Sequence, residues 1–255
     1  MQFKRKGNGT PIVFLPGLFA GGWIWDAVAS SCLEEGFSTI TFDDAIPVIF
    51  GNHFRQAIKV LDMVLEECEE KPFLIGNSLG ALISLHYALQ NPTRIQGLVM
   101  SGAPGLVELE AGVQLSQLHT GEIQYAHALV SNVIYDKSKI PQRGIEEVAR
   151  LFGDRGVFNN IARWLSLSRK YDIPEALQQL KALPIHFIWG EHDNITPAQP
   201  WVDLAGQFEN IQASVILECG HSPMVELPQS FLEHLLPTLH RCRQSQTRLL
   251  LTEPA

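Results

Sequence analysis

The sequence predicts an α/β fold in which a mostly parallel sheet is covered by helices on both faces. Short, continuous apolar runs alternate with longer stretches of helical periodicity along most of the chain. Runs of about four to six apolar residues are typical of strands that are buried on both faces. The chain has 255 residues, of which 45% are hydrophobic. A chain of this size can bury a large core as one α/β unit without disulfide bonds.

The apolar runs predict six strands, and the segments between them predict the covering helices. The predicted strands are residues 12–15, 38–42, 73–75, 97–100, 185–189 and 213–217. The first helix spans 53–70, because its apolar residues recur every three to four positions on one face and Asn52 can cap its N-terminus. A second spans 79–90 and ends at Asn91-Pro92, and the last spans 231–241. Strands that alternate with helices imply parallel pairing through right-handed crossovers.

One interval is too long for a simple crossover. About 80 residues separate the strand near Ser101 from the strand that begins at Ile185, whereas a crossover helix with its loops needs about 30. The surplus predicts a helical insertion over one end of the sheet. The predicted organisation is therefore a core in two parts, 1–104 and 183–241, with an insertion at 105–182 and a tail at 242–255 that has no clear place in the core.

Composition excludes several classes of function. The chain carries 19 basic and 27 acidic residues, a formal charge of −8, and it has no basic cluster of the kind that binds nucleic acid. No apolar stretch reaches the ~20 residues of a membrane span. The N-terminus lacks the apolar core of a signal peptide, so a cytoplasmic location is expected. The four cysteines are widely spaced, which argues against a metal site or a disulfide framework.

The most informative motif is Gly76-Asn77-Ser78-Leu79-Gly80, which lies between a predicted strand and a predicted helix. A serine on such a tight turn projects its hydroxyl outward, and the glycines avoid collisions within the turn. The following helix directs its N–H groups toward the same point. The strand–turn–helix context favours a nucleophilic serine over the alternative, a glycine-rich turn with a capping serine.

A nucleophilic serine needs a histidine base and an acid that orients it. Two later segments provide them in the order serine, acid, histidine. Asp193 follows the predicted strand 185–189, and His221 follows the last predicted strand. Both come at carboxyl ends of strands, which is the edge where open α/β sheets bind ligands. Asp43 remains an alternative acid, because a triad is defined by geometry rather than by chain order. His192 adjoins Asp193 and is not expected to be the base.

These segments resemble the α/β-hydrolase superfamily, in particular its small cofactor-free serine esterases and related C–C-bond hydrolases. The similarity covers nearly the whole chain and includes Gly190-Glu191-His192-Asp193 and Gly220-His221-Ser222-Pro223. It implies an α/β-hydrolase fold with a helical cap inserted after the strand that follows the nucleophile helix. By this resemblance Ser78 is the nucleophile, His221 the base and Asp193 the acid. The backbone N–H groups of Leu18 and Leu79 form the oxyanion hole.

The chain also departs from the family pattern. Pro16 stands where the family usually has histidine, and the loop after Asp43 lacks the usual Arg-Gly-His-Gly. The ten residues before Pro11 leave space for about one strand, so the N-terminal antiparallel strands are expected to be shortened. The substrate pocket is expected to be apolar and to be lined by Phe19, Phe50, Leu106, Val107, Leu118, Val130 and Met224.

The resemblance implies a serine hydrolase that acts on a small, largely apolar acyl or aryl ester and requires no metal or organic cofactor. Thioester hydrolysis and C–C-bond hydrolysis remain alternatives with the same triad, as does a biosynthetic lyase or cyclase. A non-catalytic ligand-binding protein is a minor alternative. The expected partner is a small-molecule substrate, without nucleic acid and without a membrane span. A homodimer is left open.

Overall fold

A computed structural model describes residues 3–109 and 122–252, and these form a seven-stranded sheet with the strand order β1-β3-β2-β4-β5-β6-β7. The strands are β1 (Phe3–Lys6), β2 (Pro11–Leu15), β3 (Ser38–Phe42), β4 (Phe73–Asn77), β5 (Gly97–Ser101), β6 (Ile185–Gly190) and β7 (Ile211–Ile216). Strand β1 pairs antiparallel with β3, and all other pairs are parallel. The prediction of a mostly parallel sheet is confirmed, and one short antiparallel strand precedes it.

Helices cover both faces of this sheet. They are α1 (Asp26–Glu34), α2 (Ile46–Ile49), α3 (Phe54–Leu65), α4 (Leu79–Gln90), α5 (Ile123–Val133), α6 (Gln142–Phe152), α7 (Arg155–Ser168), α8 (Ile173–Gln178), α9 (Ala198–Ala205), α10 (Pro223–Glu226) and α11 (Pro228–Thr252). Successive residues along a strand point to opposite faces of the sheet and join different hydrophobic clusters. Val13 and Leu15 join the cluster under α3 and α4, whereas Ile12 and Phe14 join the cluster with α1 and α11. Burial on both faces explains why the strands are continuously apolar.

Helices α5 to α8 lie between β5 and β6, and we call this segment the cap. Its helix α6 is strongly amphipathic and buries Ile145, Val148 and Phe152. Helix α7 contacts α2 and α4, so the cap rests on the helices that follow the carboxyl ends of the strands. Leu118, a predicted pocket residue, lies outside the described residues.

The last helix is longer than its periodicity predicted. Helix α11 continues past Arg241 to Thr252, and Cys242 is buried in the cluster with α1. The chain has no helix-breaking glycine or proline between these positions. Among the described residues, no helix is both long enough and apolar enough to cross a bilayer.

A buried histidine lies on the sheet face that packs against α11. His186 in β6 is fully buried, and its Nδ1 and Nε2 lie 2.8 and 2.9 Å from the hydroxyl oxygens of Thr238 and Ser214. Burial, together with smaller effects of the nearby His234 and Arg241, lowers the pKa of His186 to about 4. Both ring nitrogens have hydroxyl partners, so the imidazole is satisfied in its neutral form.

We expect this histidine to make the fold sensitive to acid. A histidine in the unfolded chain titrates near 6.5, so the unfolded state binds more protons than the folded state between about pH 6.5 and 4. Stability therefore falls as the pH drops through that window. In His186→Gln, the slope of unfolding free energy against pH should become shallower by up to about 1.4 kcal/mol per pH unit. Urea unfolding between pH 4.5 and 7 tests this, with the exposed His127→Gln as control. Parallel slopes for wild type and His186→Gln would contradict it.

Candidate active site

Ser78 occupies a strained turn between β4 and α4. Its backbone has φ 53° and ψ −123°, a conformation that non-glycine residues rarely adopt. Such strain costs about 1–3 kcal/mol and persists only where the surroundings enforce it. The Ser78 N–H donates to the Ser101 carbonyl at 2.7 Å, which fixes the turn against β5.

The two glycines of the motif are required by close backbone contacts. A Cβ atom at Gly76 would lie 2.4 Å from the Ala81 nitrogen, and one at Gly80 would lie 2.3 Å from the Pro16 carbonyl oxygen. Neither position has room for a methyl group. The spacing Gly-x-Ser-x-Gly therefore follows from the packing of α4 against the turn and against the loop after β2.

Asp193 and His221 form a buried pair. The His221 Nδ1 lies 2.8 Å from Oδ2 and 3.0 Å from Oδ1 of Asp193, and the two residues are each 4% exposed. Asp193 follows β6, and His221 follows β7. The structure thus brings together two residues that are 28 positions apart in the sequence. This is the contact that orients an imidazole for proton transfer.

The Asp193 carboxylate is held in its charged form. Burial alone raises its pKa, but the His221 charge, the hydrogen bond to His221 and those from the Thr196 and Ile195 N–H groups together keep the pKa below its ordinary value. Oδ1 accepts from the Ile195 N–H at 2.8 Å and from the Thr196 N–H at 2.9 Å, and Oδ2 accepts from the Thr196 hydroxyl at 2.9 Å. An ionised carboxylate beside Nδ1 favours a proton on that nitrogen.

The position of His221 is fixed from several sides. The backbone N–H of His221 donates to the Val133 carbonyl at 2.9 Å. The Asn77 amide donates to the carbonyl of His221 at 3.1 Å and to that of Ser101 at 3.3 Å. Asn77, the residue before Ser78, therefore connects the turn to the backbone of His221. Gly102 lies against the imidazole, where a Cβ atom would be 2.7 Å from Cε1.

The loop after β2 lies beside Ser78. A Cβ atom at Gly17 would lie 3.5 Å from the Cβ of Ser78. Leu18 and Leu79 line the same cavity as Ser78. Trp25 packs beneath the loop, where its indole N–H donates to the Leu15 carbonyl at 3.2 Å. The loop therefore lies next to the turn that carries Ser78, although Pro16 stands where the family usually has histidine.

A cavity of about 770 Å³ opens onto this site. Ser78 and His221 both line it, so the structure brings these two residues to one space. The predicted residues Phe19, Leu106 and Val130 also contribute to its wall. The remaining lining is mostly apolar and includes Trp23, Leu129, Val133, Ile134, Val148, Trp164, Leu165 and Val225. Most of these eight residues belong to the cap.

Three residues that were predicted to line the pocket do not line this cavity. Phe50 is fully buried in the core, where its ring packs edge-on against Phe42 at 5.1 Å. Met224 is buried in the cluster with α1 and α11. Val107 is 40% exposed and does not contribute to the cavity wall. Trp23 and Trp164 were missed, because apolar residues at cap and loop positions carry no signal of which face they present.

The alternative acid and base residues are engaged elsewhere. Asp43 forms an ion pair with Lys4. His192 stacks on Tyr135 at 4.2 Å and lies 3.3 Å from the carboxylate of Glu191. His86, on helix α4, does not line the cavity and contacts the Tyr171 hydroxyl at 3.1 Å. Over residues 3–109 and 122–252, no three His, Cys, Asp or Glu side chains are grouped so that they could hold a metal ion.

Comparisons with known proteins identify the fold of the chain. The model of the alpha/beta hydrolase fold family matches residues 10–228. The chain is 24% identical over 248 residues to the pimeloyl-[acyl-carrier protein] methyl ester esterase of Vibrio campbellii, covering 91% of this chain and 95% of that protein. It is 27% identical over 197 residues to the uncharacterized hydrolase YugF of Bacillus subtilis, covering 71% and 70%.

Solved structures share the fold. The meta-cleavage product hydrolase from Pseudomonas fluorescens IP01 superposes with a TM-score of 0.78 at 18% identity, over 94% of this chain and 93% of that one. The 2-hydroxy-6-oxo-6-phenylhexa-2,4-dienoate hydrolase from Rhodococcus sp. strain RHA1 gives a TM-score of 0.79 at 16% identity, over 93% and 94%. The family model spans most of the sheet, the turn at Ser78 and the segments of Asp193 and His221. The chain belongs to the α/β-hydrolase family.

Proposed function

We propose that this protein is a serine hydrolase that cleaves a carboxylic ester of a small, largely apolar acyl or aryl substrate. The observation that carries the proposal is the convergence of Ser78, in its strained turn, and the buried His221–Asp193 pair on one mostly apolar cavity. A nucleophile, its base and the orienting acid are the groups that acyl transfer requires.

In the proposed mechanism, Nε2 of His221 takes the proton from the Ser78 hydroxyl as Oγ attacks the ester carbonyl carbon. The resulting oxyanion accepts hydrogen bonds from the N–H groups of Leu18 and Leu79. The imidazolium then donates its proton to the departing alcohol, which leaves an acyl-enzyme. A water molecule loses a proton to His221 as its oxygen attacks the acyl carbon, and the imidazolium then returns a proton to Oγ of Ser78 as the acyl–oxygen bond breaks and the acid leaves. Each oxyanion-hole donor of this kind contributes about 3–4 kcal/mol to lowering the barrier.

The cap is proposed to select the substrate. The cavity wall is mostly apolar and about half of its residues lie between β5 and β6, so an apolar acyl or aryl group is favoured over a highly charged one. Two charged residues, Glu108 and Arg169, also line the cavity. The Oε1 of Glu108 accepts from the Gly105 N–H at 3.1 Å.

Hydrolysis of a C–C bond with the same residues is the second candidate. The observation that favours it is the structural similarity to a meta-cleavage product hydrolase and to a 2-hydroxy-6-oxo-6-phenylhexa-2,4-dienoate hydrolase. Such a substrate would present a ketone carbonyl to Ser78, and the leaving group would be a stabilised carbanion rather than an alcohol. Thioesters would be attacked in the same way as esters.

A fluorophosphonate probe separates these possibilities from a non-catalytic role. We expect the probe to label the wild-type protein at Ser78, and we expect Ser78→Ala to abolish labelling and turnover. Short- and long-chain nitrophenyl esters, acyl thioesters and a vinylogous diketone are compared as substrates. Labelling that survives Ser78→Ala would overturn the nucleophile assignment. Labelling without turnover of any substrate would contradict hydrolysis and favour a lyase or a ligand-binding protein.

A further inference from the structure

Glu226 is a buried carboxylate that accepts hydrogen bonds from three backbone N–H groups. Its side chain belongs to α10, and the residue is 3% exposed. Oε2 accepts from Tyr135 at 3.0 Å and from Gly220 at 2.9 Å, and Oε1 accepts from Asp136 at 2.6 Å. An ionised carboxylate is an acceptor only, which suits a site where three donors converge.

These three donors come from two different parts of the molecule. Tyr135 and Asp136 directly follow cap helix α5, whereas Gly220 is the residue before His221. A Cβ atom at Gly220 would lie 2.7 Å from the Val133 carbonyl oxygen, so the two backbones are in direct contact. The His221 N–H donates to that same carbonyl. Glu226 therefore joins the end of a cap helix to the loop that carries the histidine.

The same cap segment also touches the loop of the acid. The Tyr135 ring stacks on His192 at 4.2 Å and 15° between planes. His192 precedes Asp193, and its N–H donates to the Cys219 carbonyl at 2.8 Å. The segment 133–136 is thus in contact with the loops of both Asp193 and His221. A displacement of this segment would be transmitted to the pair.

We propose that Glu226 is a positioning residue that couples the cap to the imidazole of His221. This inference rests on the proposed function of the Ser78 site. The carboxylate touches neither substrate nor any reacting atom. Glu226 holds Gly220, the residue before His221, against the cap. The position of helix α5 therefore sets the position of the imidazole. A shift of about 1 Å in a catalytic group can lower the rate about 100-fold.

The first test is Glu226→Gln, which keeps the size of the side chain but leaves at least one of the three N–H groups without an acceptor. We expect kcat to fall about 10- to 100-fold with KM changed less than threefold, at a temperature where the variant is folded. The far-downfield proton resonance of the His221 Nδ1–H should shift or broaden. Asp62→Asn is the control, because Asp62 accepts from the Tyr87 hydroxyl at 2.9 Å, remote from the cavity.

The control should lower the melting temperature without changing kcat or the resonance. If Glu226→Gln lowers only the melting temperature, Glu226 is merely structural and the inference is wrong. The resonance reports on the His221–Asp193 pair whether or not Ser78 is a nucleophile. Failure of the proposed function, seen as probe labelling that survives Ser78→Ala, is therefore distinguishable from failure of this inference.

The second test addresses the cap side of the contact. Asp136 has φ −80°, which proline can adopt, and Asp136→Pro removes the N–H that donates to Glu226. We expect kcat to fall, and the double variant with Glu226→Gln to be less impaired than the product of the two single effects. Asp136→Ala keeps the N–H but, like the proline variant, loses the side-chain oxygen that accepts from the Ser138 N–H, so it serves as control. If Asp136→Pro matches this control, or if the two effects multiply fully, the coupling to the cap is contradicted.

Discussion

Replacement of Asp193 by Asn is expected to lower kcat about 10⁴-fold while leaving the fold intact. The Asn oxygen can still accept from the N–H groups of Ile195 and Thr196, so the loop keeps its shape. Its NH₂ group, however, faces Nδ1 of His221 and favours the tautomer that carries the proton on Nε2. That tautomer cannot accept the proton of Ser78. A loss of about 10⁴-fold is the size observed when the orienting acid of a serine protease triad is replaced in this way.

The matched control is Asp43→Asn, which makes the same chemical change at the alternative acid. Asp43 pairs with Lys4, and its side chain is 31% exposed, so this substitution should change kcat less than about threefold. Steady-state kinetics on the best ester, with active sites counted by the fluorophosphonate probe, measures both variants. Near-full activity in Asp193→Asn together with a large loss in Asp43→Asn would show that the acid is misassigned.

Replacement of Gly102 by Ala is expected to lower kcat by about two orders of magnitude through displacement of the imidazole. A Cβ atom here would lie 2.7 Å from Cε1 and 2.9 Å from Nδ1 of His221, closer than real Cβ atoms approach other heavy atoms. The ring must shift relative to Asp193, and a displacement of about 1 Å is enough for such a loss. Steady-state kinetics and the downfield resonance of the His221–Asp193 hydrogen bond measure the effect.

Gly36→Ala is the control, because it has the backbone cost of adding a methyl group without a contact to His221. Gly36 has φ +76° and Gly102 has φ +60°, so both substitutions place alanine in the left-handed region at a cost of about 1 kcal/mol. A Cβ atom at Gly36 meets nothing within 4 Å. Thermal unfolding should therefore show some loss for both variants, whereas only Gly102→Ala should lose activity. Equal activity of the two variants would contradict a tight contact between Gly102 and the imidazole.

Much of the fold follows from local patterns. The apolar runs predicted β2 to β7, with boundaries within a few residues of those observed, because strands buried on both faces must be apolar throughout. The helix at 79–90 likewise follows from periodicity and from the Asn91-Pro92 stop, whereas the helix predicted over 53–70 ends at Leu65 and is capped by His53 rather than Asn52. The end of α11 was misjudged, because the last turns of a helix carry weak signals when no glycine or proline ends it.

The residues that line the cavity were harder to predict than the contact between Asp193 and His221. Phe50 and Met224 are apolar residues near catalytic motifs, yet both face the core rather than the cavity. An apolar side chain gains about the same free energy from either environment, so its residue type does not say which one it enters. The role of Glu226 had no signal either, since a carboxylate near a histidine is usually a surface residue.

The sequence by itself determined the strands β2 to β7, their order along the chain and the Gly-x-Ser-x-Gly turn. These depend on local chemistry, namely the burial of strands, the end of a helix before a proline and the need for glycine around a tight turn. Only the tertiary structure decided which acid meets His221, which cap residues enclose the cavity and what holds the histidine loop to the cap. Those contacts join residues far apart in the chain, such as Tyr135 and Glu226. They are set by how the cap packs on the sheet, which no local pattern encodes.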